Sequence, residues 1–318
     1  MSVWPKVLII DDVHLSLVHG LVAHNFDVYY RPDATKNEVL ELVKDVDFEG
    51  LVVRSKIFID QDFLNQCGPL KWIARAGAGM DNIDVSAAHQ KGVFLMNSDN
   101  ANSDAVGEQT LAMLLAICTK LIVSNHQVKD FIWRREENRG FELKGKTVGI
   151  IGYGNTGMSV AEKLKGFGVQ IIAYDKYKTE LTDNNVTEVN LSELLDKSDI
   201  ISLHIPLTDE TKNFVDFSFL NSVRKPFVLL NLSRGKIVDI QSVISFLESG
   251  KLIGFCADVL PIEPPKNGNE MELKMLQKLF SFENVIVSPH VGGWTTESYE
   301  KISHTLLFNI LKYCELNN

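Results

Sequence analysis

The feature that most constrains this chain is a glycine-rich turn near its middle, placed between an apolar run and a helical pattern. The apolar residues 148–151 lead into Gly152, Gly154 and Gly157, which have the spacing G-x-G-x-x-G. In a parallel α/β sheet the first glycine makes the turn, the second admits the phosphates of a ligand, and the third lets helix and strand pack closely. The turn therefore predicts a dinucleotide-binding unit.

An acidic residue follows the turn at the spacing expected for ribose recognition. Asp175 ends the next apolar run, residues 170–174, about 20 residues beyond the turn. A carboxylate there suits the free ribose hydroxyl groups of NAD and repels the additional phosphate of NADP. The predicted cofactor is therefore NAD. A methyltransferase, which has a similar turn and a ribose-binding acid, is the alternative that this segment leaves open.

Composition excludes several broad classes of function. The 318 residues, 45% of them hydrophobic, are enough for about two globular domains. A net charge of −9 argues against a nucleic-acid or anionic-membrane surface, because both need a basic face. The four widely spaced cysteines indicate neither a disulfide framework nor a zinc site, so no metal is expected. The first apolar run, residues 7–10, is too short for a signal peptide, and the predicted location is the cytoplasm.

Two series of alternating strand and helix patterns predict two parallel sheets. The predicted strands are residues 7–10, 28–30, 51–53, 72–74 and 93–95 in the first series, and 148–151, 170–174, 200–203, 227–231, 253–258 and 285–287 in the second. A long helix is predicted between the series, over residues 104–130. It carries more apolar surface than one domain needs, which favours a homodimer interface, with burial between domains as the competing explanation.

Three residues with complementary chemistry follow strands of the second series. Arg234, Glu263 and His290 each lie just beyond a predicted strand, and parallel strands bring their carboxyl ends to one edge. Arginine binds a carboxylate, histidine exchanges a proton near neutral pH, and a carboxylate orients that histidine. The set predicts oxidation of a hydroxy acid. The plainer interpretation is that they are solvated loop charges and a histidine with a structural partner.

Seven segments, taken in order along the chain, resemble the D-2-hydroxyacid dehydrogenases. They are residues 75–84, 105–108, 152–157, 204–208, 231–235, 258–265 and 290–293. Within that family, the chain most resembles the short-form D-3-phosphoglycerate dehydrogenases, which lack appended regulatory domains. The resemblance implies an α/β protein of two doubly wound parallel-sheet domains, in which a Rossmann-like cofactor domain is inserted into a flavodoxin-like substrate domain. It assigns residues 1–98 and 288–318 to the substrate domain and 99–287 to the NAD-binding domain, with the active crevice between them.

The resemblance also implies roles for individual residues. Arg234 would bind the substrate carboxylate, His290 would act as acid or base, and Glu263 would be the partner of His290. The implied cofactor contacts are Gly152, Gly154, Asn155, Thr156, Gly157, Asp175, His204, Ile205, Pro206, Leu232, Ser233, Arg234, Asp258, His290, Gly292, Gly293, Ala78 and Val106. The implied substrate contacts are Arg54, Ser55, Ala76, Gly77, Arg234 and His290.

For the substrate, 3-phosphoglycerate is expected first, oxidised to 3-phosphohydroxypyruvate as in serine biosynthesis. Arg54, Ser55 and Lys56 follow a strand of the first series and, with Arg75, can meet a phosphate. The phosphoglycerate dehydrogenases have a similar Arg-Ser loop. Glyoxylate or hydroxypyruvate ranks second and other 2-hydroxy acids third. A non-catalytic, NAD-sensing interaction protein also stays open, because some relatives of the family act as corepressors.

Overall fold

The chain forms two compact units, each built on one parallel sheet. A computed structural model describes residues 4–179 and 185–317. The first unit combines Met1–Asn102 with Trp294–Asn318, and the second consists of Ser103–Gly293. The second unit is therefore inserted into the first along the chain, at the junctions 102/103 and 293/294. The assignment of substrate and cofactor roles to these units stays a prediction.

The first unit contains five parallel strands in the order β2-β1-β3-β4-β5. Successive residues of β1 alternate between two apolar cores, with Val7 and Ile9 on one face and Leu8 on the other, as the two-residue period of a strand requires. The bounds are β1 Lys6–Ile9, α1 Leu15–Ala23, β2 Asp27–Tyr30, α2 Lys36–Asp45, β3 Gly50–Val53, α3 Gln61–Gln66, β4 Trp72–Arg75, α4 Val85–Gln90 and β5 Phe94–Asn97.

The second unit contains seven parallel strands in the order β12-β11-β10-β9-β6-β7-β8. Its bounds are α5 Ser103–Cys118, α6 Leu121–Lys129, β6 Thr147–Ile151, α7 Asn155–Leu164, β7 Gln170–Tyr174, β8 Val186–Glu188, α8 Leu191–Lys197, β9 Ile200–Leu203, α9 Phe217–Ser222, β10 Phe227–Asn231, α10 Ile240–Glu248, β11 Leu252–Ala257, α11 Glu270–Phe280 and β12 Val285–Val287. The terminal helix, α12 Thr296–Asn317, returns to the first unit. The strand order of the second sheet reverses between β6 and β9, which is where ligands of open α/β sheets bind.

The two doubly wound parallel sheets confirm the predicted fold class, with two differences in the elements. Six strands were predicted in the second series, and the structure has seven there. The additional one is the short strand β8. The single helix predicted over residues 104–130 is wrong. It is two helices, α5 and α6, that meet at an angle of 62°, because Lys120 takes a left-handed conformation with φ of 52° and ends the regular hydrogen bonding.

Over residues 4–179 and 185–317, no single helix is both long and apolar enough to cross a membrane. The bent pair α5 and α6 reaches the required length and apolarity only when its two members are taken together.

Candidate active site

Two glycines of the turn are required by packing within the chain, and the third is not. A Cβ atom added to Gly152, whose φ is 90°, would lie 2.4 Å from the carbonyl oxygen of His204. One added to Gly157 would lie 2.2 Å from the carbonyl oxygen of Gly152, so both positions require glycine for packing. At Gly154 an added Cβ would meet nothing within 4 Å. Since no side chain caps α7 at Gly154, the helix N-terminus is available to a phosphate group.

Asp175, at the end of β7, is held as an ionised carboxylate beside this turn. Its Oδ2 accepts the backbone N–H of Tyr153 at 2.7 Å, and its Oδ1 accepts those of Tyr177 at 2.9 Å and Lys178 at 3.0 Å. Burial raises the pKa of Asp175, but these hydrogen bonds and the charge of Lys178 outweigh it and hold the pKa below its ordinary value. The carboxylate can therefore accept the hydroxyl groups of a ribose.

His204, at the end of β9, presents a neutral imidazole near the turn. Its Nε2 lies 2.8 Å from Oγ of Ser202, and its enclosed Nδ1 has no hydrogen-bond partner among the residues described. Burial lowers the pKa of His204 to about 4, so the ring is uncharged at neutral pH. The backbone N–H of His204 donates to the carbonyl of Ile151 at 2.7 Å, which fixes the residue next to Gly152.

Asn231, the last residue of β10, shapes the loop that carries Arg234. Its buried Oδ1 accepts both the backbone N–H and the hydroxyl of Ser233, at 3.1 and 2.8 Å, and its Nδ2 donates to the carbonyl of Arg234 at 3.0 Å. A Cβ at Gly235 would lie 2.0 Å from the carbonyl oxygen of Leu260, so the Arg234 loop approaches the Leu260 loop at backbone distance.

Asp258, at the end of β11, orders the loop that carries His290. It is only 2% exposed, and its carboxylate accepts the hydroxyl of Ser288 at 2.5 Å and the backbone N–H groups of Val291 at 2.9 Å and Gly292 at 2.7 Å. Its carbonyl accepts the N–H of His290 at 2.8 Å. The structure thus gives Asp258 a positioning role, and its predicted contact with the nicotinamide amide stays a prediction.

Glu263 and His290 form a direct pair that is partly exposed to solvent. His290 Nδ1 lies 2.7 Å from Glu263 Oε2, and the two side chains are 47% and 37% exposed. Burial raises the pKa of Glu263, but the hydrogen bonds from His290 and the N–H of Leu260, together with the charges of His290 and Arg234, lower it overall. The carboxylate is therefore ionised beside the imidazole. Because Nδ1 is engaged, Nε2 is the nitrogen left for proton exchange.

The other predicted cofactor contacts are spread over both units. Asn155 and Thr156 open α7, while Ile205 and Pro206 follow β9. The remaining members of the second unit are Leu232, Gly292, Gly293 and Val106, all of them buried except Gly293. Ala78 belongs to the first unit, where its carbonyl accepts Asn97 Nδ2 at 2.6 Å.

Two predicted substrate contacts of the first unit already have backbone partners. The N–H of Ala76 donates to the carbonyl of Val53 at 2.7 Å, and that of Gly77 donates to the carbonyl of Arg75 at 2.9 Å. A substrate carboxylate would have to compete with these two acceptors. Lys56 donates to the carbonyl of Pro32, so its ammonium is also engaged within the unit.

Comparison with known proteins decides the family. The model of the "D-isomer specific 2-hydroxyacid dehydrogenase, NAD binding domain" matches residues 111–292, more than half of the 318-residue chain. The chain belongs to this dehydrogenase family. Its enzymes are NAD-dependent and act on CH–OH donors, and the open position at Gly154 and the ionised Asp175 fit NAD.

Relatives in the dehydrogenase family differ in substrate and in length. The hydroxypyruvate reductase of Thermotoga maritima is 35% identical over 277 residues, which cover 87% of this chain and 88% of that protein. The D-3-phosphoglycerate dehydrogenase of Methanocaldococcus jannaschii is 34% identical over 310 residues, covering 96% of this chain but only 57% of that longer protein. A crystal structure of D-lactate dehydrogenase from Aquifex aeolicus, with NAD and lactic acid, shares the fold with a TM-score of 0.86 and 24% identity, covering 98% of this chain and 95% of that one.

One contact in the first unit of this dehydrogenase was not predicted from its sequence. The guanidinium carbon of Arg54 lies 3.5 Å from the ring centroid of Trp294. Trp294 follows Gly292 and Gly293 directly, and a large aromatic residue after a glycine pair was the only available signal. Burial lowers the pKa of Arg54, while the charges of Asp11 and Asp12 oppose that shift.

Among residues 4–179 and 185–317, no group of three or more His, Cys, Asp or Glu side chains is arranged to hold a metal ion.

Proposed function

We propose that the protein transfers a hydride between C2 of a D-2-hydroxy acid and NAD, with 3-phosphoglycerate and 3-phosphohydroxypyruvate as the leading substrate pair. The observation that carries the reaction type is the 2.7 Å pair of His290 Nδ1 and Glu263 Oε2. The charge of Arg234 acts on the same carboxylate, so an acid–base group and a carboxylate-binding group lie together.

The mechanism follows from the roles these three side chains can take. In the oxidising direction, Arg234 binds the carboxylate of the hydroxy acid, and His290 Nε2 accepts the proton of the C2 hydroxyl group. Glu263 stabilises the imidazolium that forms, because its ionised carboxylate already bonds Nδ1. NAD supplies the hydride acceptor when it is bound. In the reducing direction the imidazolium returns the proton to the carbonyl oxygen.

The phosphate group is proposed to bind in the first unit, at Arg54 and Ser55. Ser55 is exposed, and Arg54 is a half-buried cation at the carboxyl end of β3. Similarity to a phosphoglycerate dehydrogenase over 96% of this chain supports the same choice. That oxidation would serve L-serine biosynthesis.

Hydroxypyruvate or glyoxylate is the second candidate substrate. The observation in its favour is the similarity to the hydroxypyruvate reductase of Thermotoga maritima, which is 35% identical over 87% of this chain.

A substrate screen tests this proposal. Initial rates would be measured with NADH and NADPH against 3-phosphohydroxypyruvate, hydroxypyruvate and glyoxylate. We expect turnover with NADH and the highest kcat/KM for the phosphorylated acid. Equal kcat/KM with and without the phosphate would overturn the leading substrate. If no acid is reduced, the dehydrogenase proposal fails and NAD sensing becomes the better explanation.

A cytoplasmic homodimer is part of the same proposal. Because most of α5 is buried, its apolar residues do not support a dimer interface. The exposed apolar side chains that follow α5 do support one. Leu121, Val128, Phe131 and Trp133 are 60%, 50%, 99% and 77% exposed, more apolar surface than a lone subunit usually presents to water. Light scattering after size exclusion should give twice the mass of 35.7 kDa, and a monomer would contradict the proposal.

A further inference from the structure

We propose that Trp294 is a positioning residue that fixes the Arg54 guanidinium for the distal anionic group of the substrate. The inference rests on the proposed function and deepens it by naming the residue that sets the preference for the proposed substrate class. That class is the 2-hydroxy acids that carry a second anionic group, such as a phosphate ester, at the end away from C2.

The contact covers one face of the cation and leaves its donors available. The Arg54 guanidinium carbon stands 3.5 Å above the centre of the Trp294 ring. Its N–H groups lie in the plane of the guanidinium, so stacking on one face does not consume them. Within residues 4–179 and 185–317, the guanidinium makes no hydrogen bond and no ion pair. A half-buried cation with unused donors is suited to a bidentate phosphate or carboxylate.

The ring of Trp294 is itself fixed by its neighbours. It meets the ring of Tyr299 edge to face, with centroids 5.1 Å apart. The hydroxyl of Tyr299 donates to Asp12 Oδ2 at 2.8 Å, and the hydroxyl of Tyr30 donates to Asp12 Oδ1 at 3.1 Å. Because Asp12 joins both hydroxyl groups, the chain of contacts from Tyr30 to Trp294 restricts where the ring can stand.

The backbone of Arg54 is held at both of its polar groups. Its N–H donates to Asp11 Oδ2 at 2.7 Å, and its carbonyl accepts Nε of Arg75 at 3.2 Å. Asp11 is 7% exposed and follows β1, while Arg54 follows β3. With the backbone and the ring both fixed, the guanidinium has little freedom left before a ligand arrives.

The position in the sheet is also that of a ligand site. In the order β2-β1-β3-β4-β5, the strand order reverses between β1 and β3. In open α/β sheets the crevice beyond the carboxyl ends of the strands at this reversal is where ligands bind. Arg54 therefore combines a free cationic edge with the place in the first sheet where a ligand is expected.

The competing explanation is that the stack only stabilises the fold. The two explanations predict different changes in ligand affinity when the ring is removed. Loss of a contact that only stabilises the fold would affect the affinities for all ligands alike. A positioning contact affects the phosphorylated acid and spares its unphosphorylated counterpart.

The test compares the binding of 3-phosphoglycerate and D-glycerate to the NAD-saturated protein by isothermal titration calorimetry. The variants are W294A, the conservative W294F, and W4A, a control at another half-exposed tryptophan of the first unit. We expect W294A to lose affinity for 3-phosphoglycerate about tenfold, a loss between those of an exposed and of a desolvated cation–π contact, and to leave D-glycerate within about twofold. W294F and W4A should resemble the wild type. In an R54M background, W294A should cause no further loss.

Each other outcome overturns a defined part of the proposal. If W294A stays folded by thermal unfolding and keeps the wild-type preference for 3-phosphoglycerate, Trp294 does not position Arg54. The same conclusion follows if W294F loses as much affinity for 3-phosphoglycerate as W294A. It also follows if adding W294A to R54M lowers that affinity further. If the wild type shows no preference for the phosphorylated acid, the assigned substrate class is wrong, although turnover of hydroxypyruvate would preserve the dehydrogenase proposal. A preference without turnover of any acid would leave the Trp294 inference standing and remove the proposed reaction.

Discussion

The carboxyl edges of the two sheets hold their charged side chains by different physical means. In the second unit, short directional hydrogen bonds do so: Asp258 accepts three donors from the His290 loop, and Glu263 accepts His290 at 2.7 Å. In the first unit, Arg54 rests on the face of Trp294 without a hydrogen bond or ion pair from its guanidinium to the described residues.

The difference separates two requirements. Proton transfer needs one donor and one acceptor in a fixed alignment, which hydrogen bonds at backbone-defined positions provide. Recognition of a variable distal group needs donors that stay uncommitted, and a face contact with an aromatic ring keeps them so. Residues of the second edge should therefore control turnover, and those of the first should control preference among acids.

His290→Ala is expected to give the largest effect and to test this separation directly. Turnover should fall by about 10³-fold because the acid–base group is lost. Affinity for NADH, followed by fluorescence titration, should stay near the wild-type value, and so should the ratio of affinities for 3-phosphoglycerate and D-glycerate. His126→Ala, at an exposed position of α6, is the control. Full turnover in H290A would remove His290 from the mechanism, and a changed affinity ratio would break the comparison.

Gly154→Ala and Gly157→Ala are expected to have intermediate effects, on NADH affinity and on stability respectively. They test the glycine turn at the carboxyl edge of the second sheet. An added methyl group at Gly157 meets backbone at 2.2 Å, so thermal and denaturant unfolding should show a loss of about 2 kcal/mol or more. At Gly154 it meets nothing within 4 Å, so stability should change by less than about 1 kcal/mol. NADH affinity of G154A should nevertheless fall about tenfold, because the methyl group obstructs the phosphates. A stable G154A with unchanged NADH affinity would contradict the assigned role of the turn.

Tyr299→Phe is expected to have the smallest effect, on the affinity for 3-phosphoglycerate. It tests how the Arg54 site at the carboxyl edge of the first sheet is held. The variant keeps the ring that meets Trp294 at 5.1 Å and loses only the hydrogen bond to Asp12. Affinity for 3-phosphoglycerate should fall by about twofold to threefold, as for one modest hydrogen bond. Calorimetry with W294A in parallel gives the scale. A loss as large as that of W294A would show that Asp12, rather than the position of the ring, controls Arg54.

The sequence predicted what depends on local pattern. Strands β7, β9 and β10 have the predicted bounds because their apolar runs end at polar residues or turns. Glu263 and His290 could be grouped although they are far apart in sequence, because each follows a parallel strand and such strands end at one edge.

What the sequence did not predict depends on tertiary contacts or on weak patterns. In β8 only Val186 is buried, so the strand has no apolar run that would reveal it. The break at Lys120 is a backbone conformation that its residue type does not signal, since lysine rarely has positive φ. The stack of Trp294 on Arg54 joins residues at opposite ends of the chain, and no spacing rule relates them.

The short stretch from Trp294 to Tyr299 has a consequence for how this enzyme can diversify. Both rings that stand behind Arg54 come from these few residues, just before and within the first turn of α12, whereas the proton-transfer groups are anchored by Asp258 and Glu263 in the other unit. Substrate preference can therefore change, by evolution or by design, through substitutions at these few positions, without any change to the groups that transfer the proton.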